Sequence, residues 1–335
     1  MMRLAIVGAT GLVGRMFLKV LEEKKSFFDK YIDEYVLLAS KNSKGKKIIF
    51  KGQDYIVEEL TEDTFKNTHF DYALFSAGSD VSKKYGAIAK DNNTIVIDNS
   101  SYYRMNEDVP LIVPEVNKDD IYTNKGIIAN PNCSTIGSVN VLKALESYNI
   151  KRVIFSTYQA VSGAGIEGIN DLTNTKKGNK PNKFKYSIAE NCIPQIDVFL
   201  ENKYTKEEIK MIQETRKILH KPNLLITSTC VRVPILNCHS ESINIEFEKE
   251  FDLTEIISKL NTSKGIVVID DINNELYPVN EIANSHDELF VGRIRRDFSV
   301  KNGINIWVVS DNIRKGAATN AVQILILLLN PQGSL

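Results

Sequence analysis

An excess of charge of either sign is missing from this 335-residue chain: 42 Lys plus Arg offset 42 Asp plus Glu, so the formal net charge is zero. That balance gives no reason to expect a nucleic acid or an acidic membrane surface as partner. Long apolar runs are missing too. The longest, AVQILILLL at 321–329, is too short to span a bilayer and reads as a packed helix. Only four cysteines occur (Cys133, Cys192, Cys230, Cys238), none in CxxC spacing. They suit a reducing cytoplasm better than a disulfide framework or a zinc site, and no metal is expected. The sequence enters a strand-like segment, RLAIVGA, at once, so no secretory signal is expected. The length points to two domains, each able to bury its own core.

What is present alternates. RLAIVGA, EYVLLAS, FDYALFSAG and NTIVIDNS are short apolar runs, with GLVGRMFLKVLEEKK and SDVSKKYGAIAKDN helical between them. Such alternation predicts an α/β fold with a Rossmann-like, doubly wound parallel sheet over residues 1–131. From Lys151 the segments lengthen and partly alternate: KRVIFSTYQAV, LLITSTCVRVPIL, SESINIEFE, ELFVGRIRRDFSV and GINIWVVSD. These predict a second, α+β domain over 132–312 with a mixed or antiparallel sheet. KEEIKMIQETRKIL and LTEIISKLN are its clearest helices, and NTKKGNKPNKFK reads as an exposed loop. A last helix, about 313–330, is expected to pack back on the first domain.

GATGLVG puts Gly8, Gly11 and Gly14 between the first strand and the first helix. Glycine there allows the tight turn and the close approach of a pyrophosphate to helix N-terminal amides. A merely tight strand-to-helix turn would read the same way. An acid is missing where it would be informative. The second strand ends LLASKNSKGKK, with Ser40, Lys41 and Ser43 and no Asp or Glu to hold a ribose 2′-hydroxyl. Hydroxyls and a lysine suit a 2′-phosphate, so NADP is favoured, although a solvated basic turn looks alike.

The third feature is a thiol at a junction. In IIANPNCSTIGSVNVLKAL, Cys133 follows Pro-Asn and precedes a helical pattern. The first amides of a helix have no intrahelical partner, and the helix dipole there favours negative charge. That position can lower a thiol's pKa, whereas the plain alternative is a small residue in a turn. Arg232, within an apolar strand, needs an anion or another partner. Arg104 follows DNSSYY beyond a strand's C-terminal end, where ligands gather in open α/β sheets. Glu207 and Lys210 share a helix face and could be only a solvated pair, and His239 could be structural. His69, His220 and His286 lie in polar surroundings and read as surface residues. Cys192, Cys230 and Cys238 read as packing residues.

Taken together, GATGLVG, LAS, DNSSYYR, VPEVN, NPNCST, TYQAVSGAG, ETRKIL, CVRVP, CHSES and SDNIRKGAATNAVQI resemble the aspartate-β-semialdehyde dehydrogenase family nearly end to end. The segment SKNSKGK departs from the family's SARSAGK. The resemblance implies NADPH-dependent reductive dephosphorylation of L-aspartyl 4-phosphate to L-aspartate 4-semialdehyde, a shared step toward lysine, methionine and threonine. By the same resemblance Cys133 is the nucleophile and His239 the acid/base; moving a proton to and from sulfur and oxygen suits a histidine that titrates near neutrality. Asn132 and Gln159 position substrate, Arg104 and Lys210 hold phosphate, and Glu207 with Arg232 hold the amino-acid end. Gly8, Thr10, Gly11, Leu12, Val13, Ser40, Lys41, Ser43, Gly78, Ser162, Gly163 and Asn312 fall on cofactor positions. A homodimer or dimer of dimers is implied. An N-acetyl-glutamyl-phosphate reductase is disfavoured, since that family resembles PGCY around its cysteine. A non-catalytic binding module would be expected to have lost Cys133 or His239.

Overall fold

The computed structural model describes residues 1–331. The chain divides into two compact units, one of Met1–Pro131 with the segment from Ala317 onward, the other Asn132–Gly316.

In the first unit β1 (Arg3–Val7), β2 (Glu34–Ala39) and a β3–β4 hairpin (Lys47–Phe50, Gln53–Ile56) are followed by β5 (Glu58–Glu59), β6 (Tyr72–Phe75), β7 (Ile95–Asp98) and β8 (Ile127–Ala129). Six of these form one sheet in the order β5-β2-β1-β6-β7-β8, every pairing parallel. The strands are apolar nearly throughout because both faces are covered, as a parallel sheet requires. The order reverses beside β1, so the crevice at the strand C-termini opens between β1 and β6. Helix α1 (Leu12–Glu23) leaves β1 and buries Phe17, Leu18 and Leu21. Full burial of each is worth about 1.5–3 kcal/mol. The same core takes Leu4 and Ile6 from β1 and Ala318, Ala321, Val322, Ile324 and Leu325 from the end of the chain.

The second unit carries α2 (Cys133–Ala144), α3 (Gly165–Lys176), α4 (Lys206–Ile218) and α5 (Leu253–Thr262). Its strands are β9 (Ile150–Gln159), β10 (Leu225–Arg232), β11 (His239–Phe247), β12 (Ile266–Val268), β13 (Leu289–Asp297) and β14 (Gly303–Ser310). They form a mixed six-stranded sheet, order β10-β9-β11-β14-β13-β12, parallel at both edges and antiparallel between. Along β11 the residues His239, Glu241, Ile243, Ile245 and Phe247 are buried on one face, against which α2 packs. The alternate residues Ser242, Asn244 and Glu246 are half-buried on the other. The chain then passes through a π-helical turn (Arg314–Thr319) into α6 (Asn320–Leu329), which returns to the first unit's core.

The alternating first half and mixed-sheet second half match the sequence expectation. The β3–β4 hairpin, β12 and α3 were not anticipated. Cys192 is exposed, not packed, whereas Cys230 and Cys238 are buried.

Candidate active site

In the first unit the glycines have separate tasks. Gly8 has φ +85°, and a Cβ on it would stand 2.8 Å from the Ser76 carbonyl oxygen, at the mouth between β1 and β6. On Gly14 a Cβ would stand 2.1 Å from the Gly8 carbonyl oxygen, so only glycine lets α1 start this close to the loop. Gly11, the N-cap of α1, offers no side-chain oxygen to the first amides, and no acid lies in the first turn. A twelve-residue helix start left open in this way fits an anionic group such as a dinucleotide's pyrophosphate. Thr10, Leu12 and Val13 are half-buried around it. Ser40 and Lys41 are exposed beyond β2, whereas Ser43 is buried with its Oγ 3.3 Å from Thr10 Oγ1, tying this segment to the glycine loop. Gly78, φ +89°, starts the helical segment after β6. Arg104 is also in this unit, buried, with Nη2 donating to the Asn99 carbonyl at 2.9 Å.

The second unit places Cys133 at the first position of α2, half-buried. The N-cap is Asn132, whose Oδ1 accepts from Ser134 N–H at 2.9 Å. Its Nδ2 donates to Glu207 Oε1 at 2.8 Å, and Gln159 Nε2 donates to the same oxygen at 3.0 Å. Lys210 Nζ donates to Glu207 Oε2 at 3.1 Å and to Asp197 Oδ2 at 2.8 Å. Burial opposes the charge on Glu207, but Lys210 and the bonds from Gln159 and Asn132 outweigh it and hold the carboxyl down to about 2. Glu207 is therefore a fixed anion and Lys210 its paired cation, not a lysine standing apart from acids.

Arg232 ends β10, 5% exposed, and donates from Nη1 to the Ala160 carbonyl at 2.6 Å. Its Nε has no hydrogen-bond partner among the described residues. Burial lowers its pKa while Glu207 and Cys133 support its charge. His239 is 1% exposed, and its Nδ1 accepts from Ala160 N–H at 3.0 Å. The neutral ring therefore carries its proton on Nε2, which is buried and has no hydrogen-bond partner among the described residues. Burial, then Arg232, push this imidazole down to about 3. The expected titration near neutrality is thus corrected: the ring stays neutral and presents an N–H donor. A Cβ on Gly163 would lie 2.9 Å from Arg232 Nη1 and 3.3 Å from His239 Nε2. Glycine keeps that space clear where Arg232 and His239 face, each with one buried nitrogen that has no partner among the described residues. Ser162, beside it, accepts from Asn312 Nδ2 at 3.0 Å, and Asn312 Oδ1 accepts from Cys238 N–H at 2.9 Å.

The second unit therefore gathers Cys133, Asn132, Gln159, Ser162, Gly163, Glu207, Lys210, Arg232, His239 and Asn312, while the glycine loop, Ser40–Ser43, Gly78 and Arg104 belong to the first. The sequence reading passed over three residues here. Gly316 lies against Cys133, where a Cβ would come 2.9 Å from the cysteine Cβ. Glu214 accepts from Asn132 N–H at 2.7 Å. Glu241 is 1% exposed and hydrogen-bonded to Ser138; burial pushes its carboxyl up to about 8. Spacing gave a hint only for Glu214, seven residues and so two helical turns after Glu207.

The class of protein is that of the semialdehyde dehydrogenases. Residues 3–124 match the family described as "Semialdehyde dehydrogenase, NAD binding domain", and residues 142–315 match "Semialdehyde dehydrogenase, dimerisation domain". Aspartate-semialdehyde dehydrogenase of Aquifex aeolicus (strain VF5) is 52% identical over 98% of both chains. That of Campylobacter jejuni is 49% identical over 96% of both. Among solved structures, aspartate semialdehyde dehydrogenase II of Vibrio cholerae complexed with ASA superposes with a TM-score of 0.92 at 42% identity, covering 99% of both chains. The chain belongs to the aspartate-semialdehyde dehydrogenase family. It is an oxidoreductase with a nicotinamide-dinucleotide domain. Among the described residues, no helix is long and apolar enough to cross a membrane.

Proposed function

We propose that the enzyme catalyses reductive dephosphorylation of L-aspartyl 4-phosphate to L-aspartate 4-semialdehyde, with NADPH, through a thioester on Cys133. The observation that carries this reading is the placement of Cys133 at the first turn of α2 beside Arg232 and the Asn132–Glu207 pair. The Cys133 thiolate, favoured by the helix N-terminus and by Arg232, attacks the acyl carbon. The acyl C–O bond breaks, and phosphate leaves with its electron pair. The amides of α2 and His239 Nε2–H give hydrogen bonds to the oxygen on which charge develops. A neutral donor suits that task better than proton shuttling, so His239 acts first as an oxyanion partner.

The substrate's two anionic ends call for two sites. Arginine's planar fork matches a carboxylate bidentately, so Arg232 is assigned the α-carboxylate, with Glu207 holding the amino group. Arg104 and Lys210 are assigned the phosphate, Lys210 reaching it once its hold on Asp197 is exchanged. The glycine loop would hold the pyrophosphate, and Ser40, Lys41 and Ser43 the 2′-phosphate, with Gly78, Ser162, Gly163 and Asn312 at the remaining cofactor contacts. When bound, the nicotinamide supplies the hydride in this direction and accepts it in the reverse. Lack of an acid beyond β2 favours NADPH over NADH. The enzyme acts as a cytoplasmic homodimer, or a dimer of dimers, in the pathway to lysine, methionine and threonine.

The test is phosphate-dependent NADP reduction with aspartate semialdehyde, set beside N-acetylglutamate semialdehyde, and repeated with NAD. Turnover of the first substrate with NADP is expected. Turnover of the second alone would overturn the substrate, and equal rates with NAD would overturn the cofactor choice.

A further inference from the structure

Glu214 lies two turns along α4 from Glu207, and one face of that helix brings both carboxylates to the same residue. Glu207 Oε1 takes the side-chain Nδ2 of Asn132 at 2.8 Å, and Glu214 Oε2 takes its backbone N–H at 2.7 Å. Asn132 in turn caps α2 through Ser134 N–H, and the residue enclosed by these bonds is Cys133. Glu214 is 1% exposed, Glu207 4% and Asn132 6%. A cap alone needs only the asparagine side chain. The Glu214 carboxylate gives the buried Asn132 N–H its acceptor, the part that a capping box assigns to a glutamate of the same helix, and because it comes from a different helix it also limits the peptide's freedom to turn about the Pro131–Asn132 junction.

We propose that Glu214 is a positioning residue for the thiol: by holding the Asn132 backbone it fixes where the first amides of α2 and the Cys133 Sγ face. The inference rests on the reading of Cys133 as nucleophile. A group that must meet an acyl carbon within a few tenths of an ångström needs its support locked from both sides. Glu207 holds the side chain and Glu214 the main chain, so neither replaces the other.

The experiment uses the full enzyme in a Cys192→Ser background, which removes the exposed thiol. Three variants are compared: Glu214→Leu removes the acceptor, Glu214→Asp withdraws it by one methylene while keeping charge, and Glu214→Gln keeps an oxygen in place. Each is assayed for kcat, for KM with the semialdehyde, for the alkylation rate of Cys133 by iodoacetamide at fixed pH, and for thermal unfolding. The Leu and Asp variants should lose about 10–100-fold in kcat, with KM within about threefold and slower alkylation. The Gln variant should recover kcat to within about fivefold of the parent. Should Glu214→Leu fail to fold, the Asp variant decides. A kcat within about twofold of the parent in that variant would overturn the proposal, as would lost activity with unchanged alkylation. Failure of the underlying reading looks different: Cys133→Ala would then keep its turnover.

Discussion

Two helices of twelve residues each start just after a strand of a parallel sheet, and their first turns are built in opposite ways. Helix α1 has a glycine for N-cap, no side-chain cap and no acid in its first turn. Helix α2 has Asn132, itself gripped by Glu207 and Glu214. The first is shaped by what is left out. On the proposed reading, its backbone amides and their dipole recognise an anion that arrives from outside, and the Cβ of a residue at position 14 would crowd the loop they belong to. The second is shaped by what is put in. If Cys133 reacts as proposed, its direction must be fixed, and buried acids, an arginine and a histidine are arranged around it at a desolvation cost that a binding loop avoids. A ligand can adjust to the amides it meets; a nucleophile must be placed beforehand.

Replacing Cys133 with Ala breaks the second helix start most completely. Turnover should fall by on the order of 10⁴-fold or more, with dinucleotide binding retained. Steady-state assay and cofactor titration check the split, and ordinary activity in the variant would end the assignment. The first helix start is broken by Gly14→Ala, whose Cβ would meet the Gly8 carbonyl oxygen at 2.1 Å. The variant should unfold at lower temperature, by about 1–3 kcal/mol of stability, and lose dinucleotide affinity. Gly11→Ala sharpens the point, because its Cβ comes no nearer than 3.4 Å to the Gly8 oxygen. It should leave unfolding nearly unchanged and still weaken dinucleotide binding; equal binding would mean that no ligand approaches that glycine.

The smallest expected effect comes from pH. Glu241 has its carboxyl raised from 4.5 to about 8 by burial. Between those values the folded protein holds a proton that the unfolded chain has released. The stability from this group is complete below about 4.5 and is lost as pH rises to about 8. His239 runs the other way, since lowering from 6.5 to about 3 makes stability rise with pH between those values. From pH 6.5 to 8 only Glu241 of the two contributes a slope, bounded at about 1.4 kcal/mol per unit. Urea unfolding at fixed protein concentration should show the alkaline decline, and Glu241→Gln should flatten it. An unchanged slope in Glu241→Gln would place the titration elsewhere.

The two helix starts also differ in how far the sequence discloses them. The loop before α1 is local: strand, glycines and helix follow within twelve residues, and the change of apolar period marks them. Most strands of both sheets were legible for the same reason. The β3–β4 hairpin was missed because LysIleIlePhe at 47–50 sits among lysines and polar residues, and only Ile48 and Phe50 turn inward. Helix α3 was hidden by its Gly, Asn and Thr content. At the thiol, Cys133, Arg232 and Glu207 could be named, but the bond that ties Glu214 to Asn132 spans 82 residues. The bond from Ser138 to Glu241 spans 103. A glutamate buried by tertiary contact looks in sequence like any glutamate on a helix or strand. The lowered pKa of His239 is likewise set by burial and by Arg232 from another strand, and no local pattern announces it.

The return of the chain at Ala317 has a consequence for how the protein is made. Ala318, Ala321, Val322, Ile324, Leu325 and Leu327 belong to the core built around β1 and α1, yet in the chain they follow the whole second unit. The nascent sheet must wait through the whole of the intervening 185-residue unit, Asn132–Gly316, with that patch uncovered. Its closure is a contact between segments on either side of that unit, a long-range pairing whose reward comes late. Folding during translation is therefore expected to let the second unit complete its own core before the dinucleotide unit, whose core includes residues 318–327.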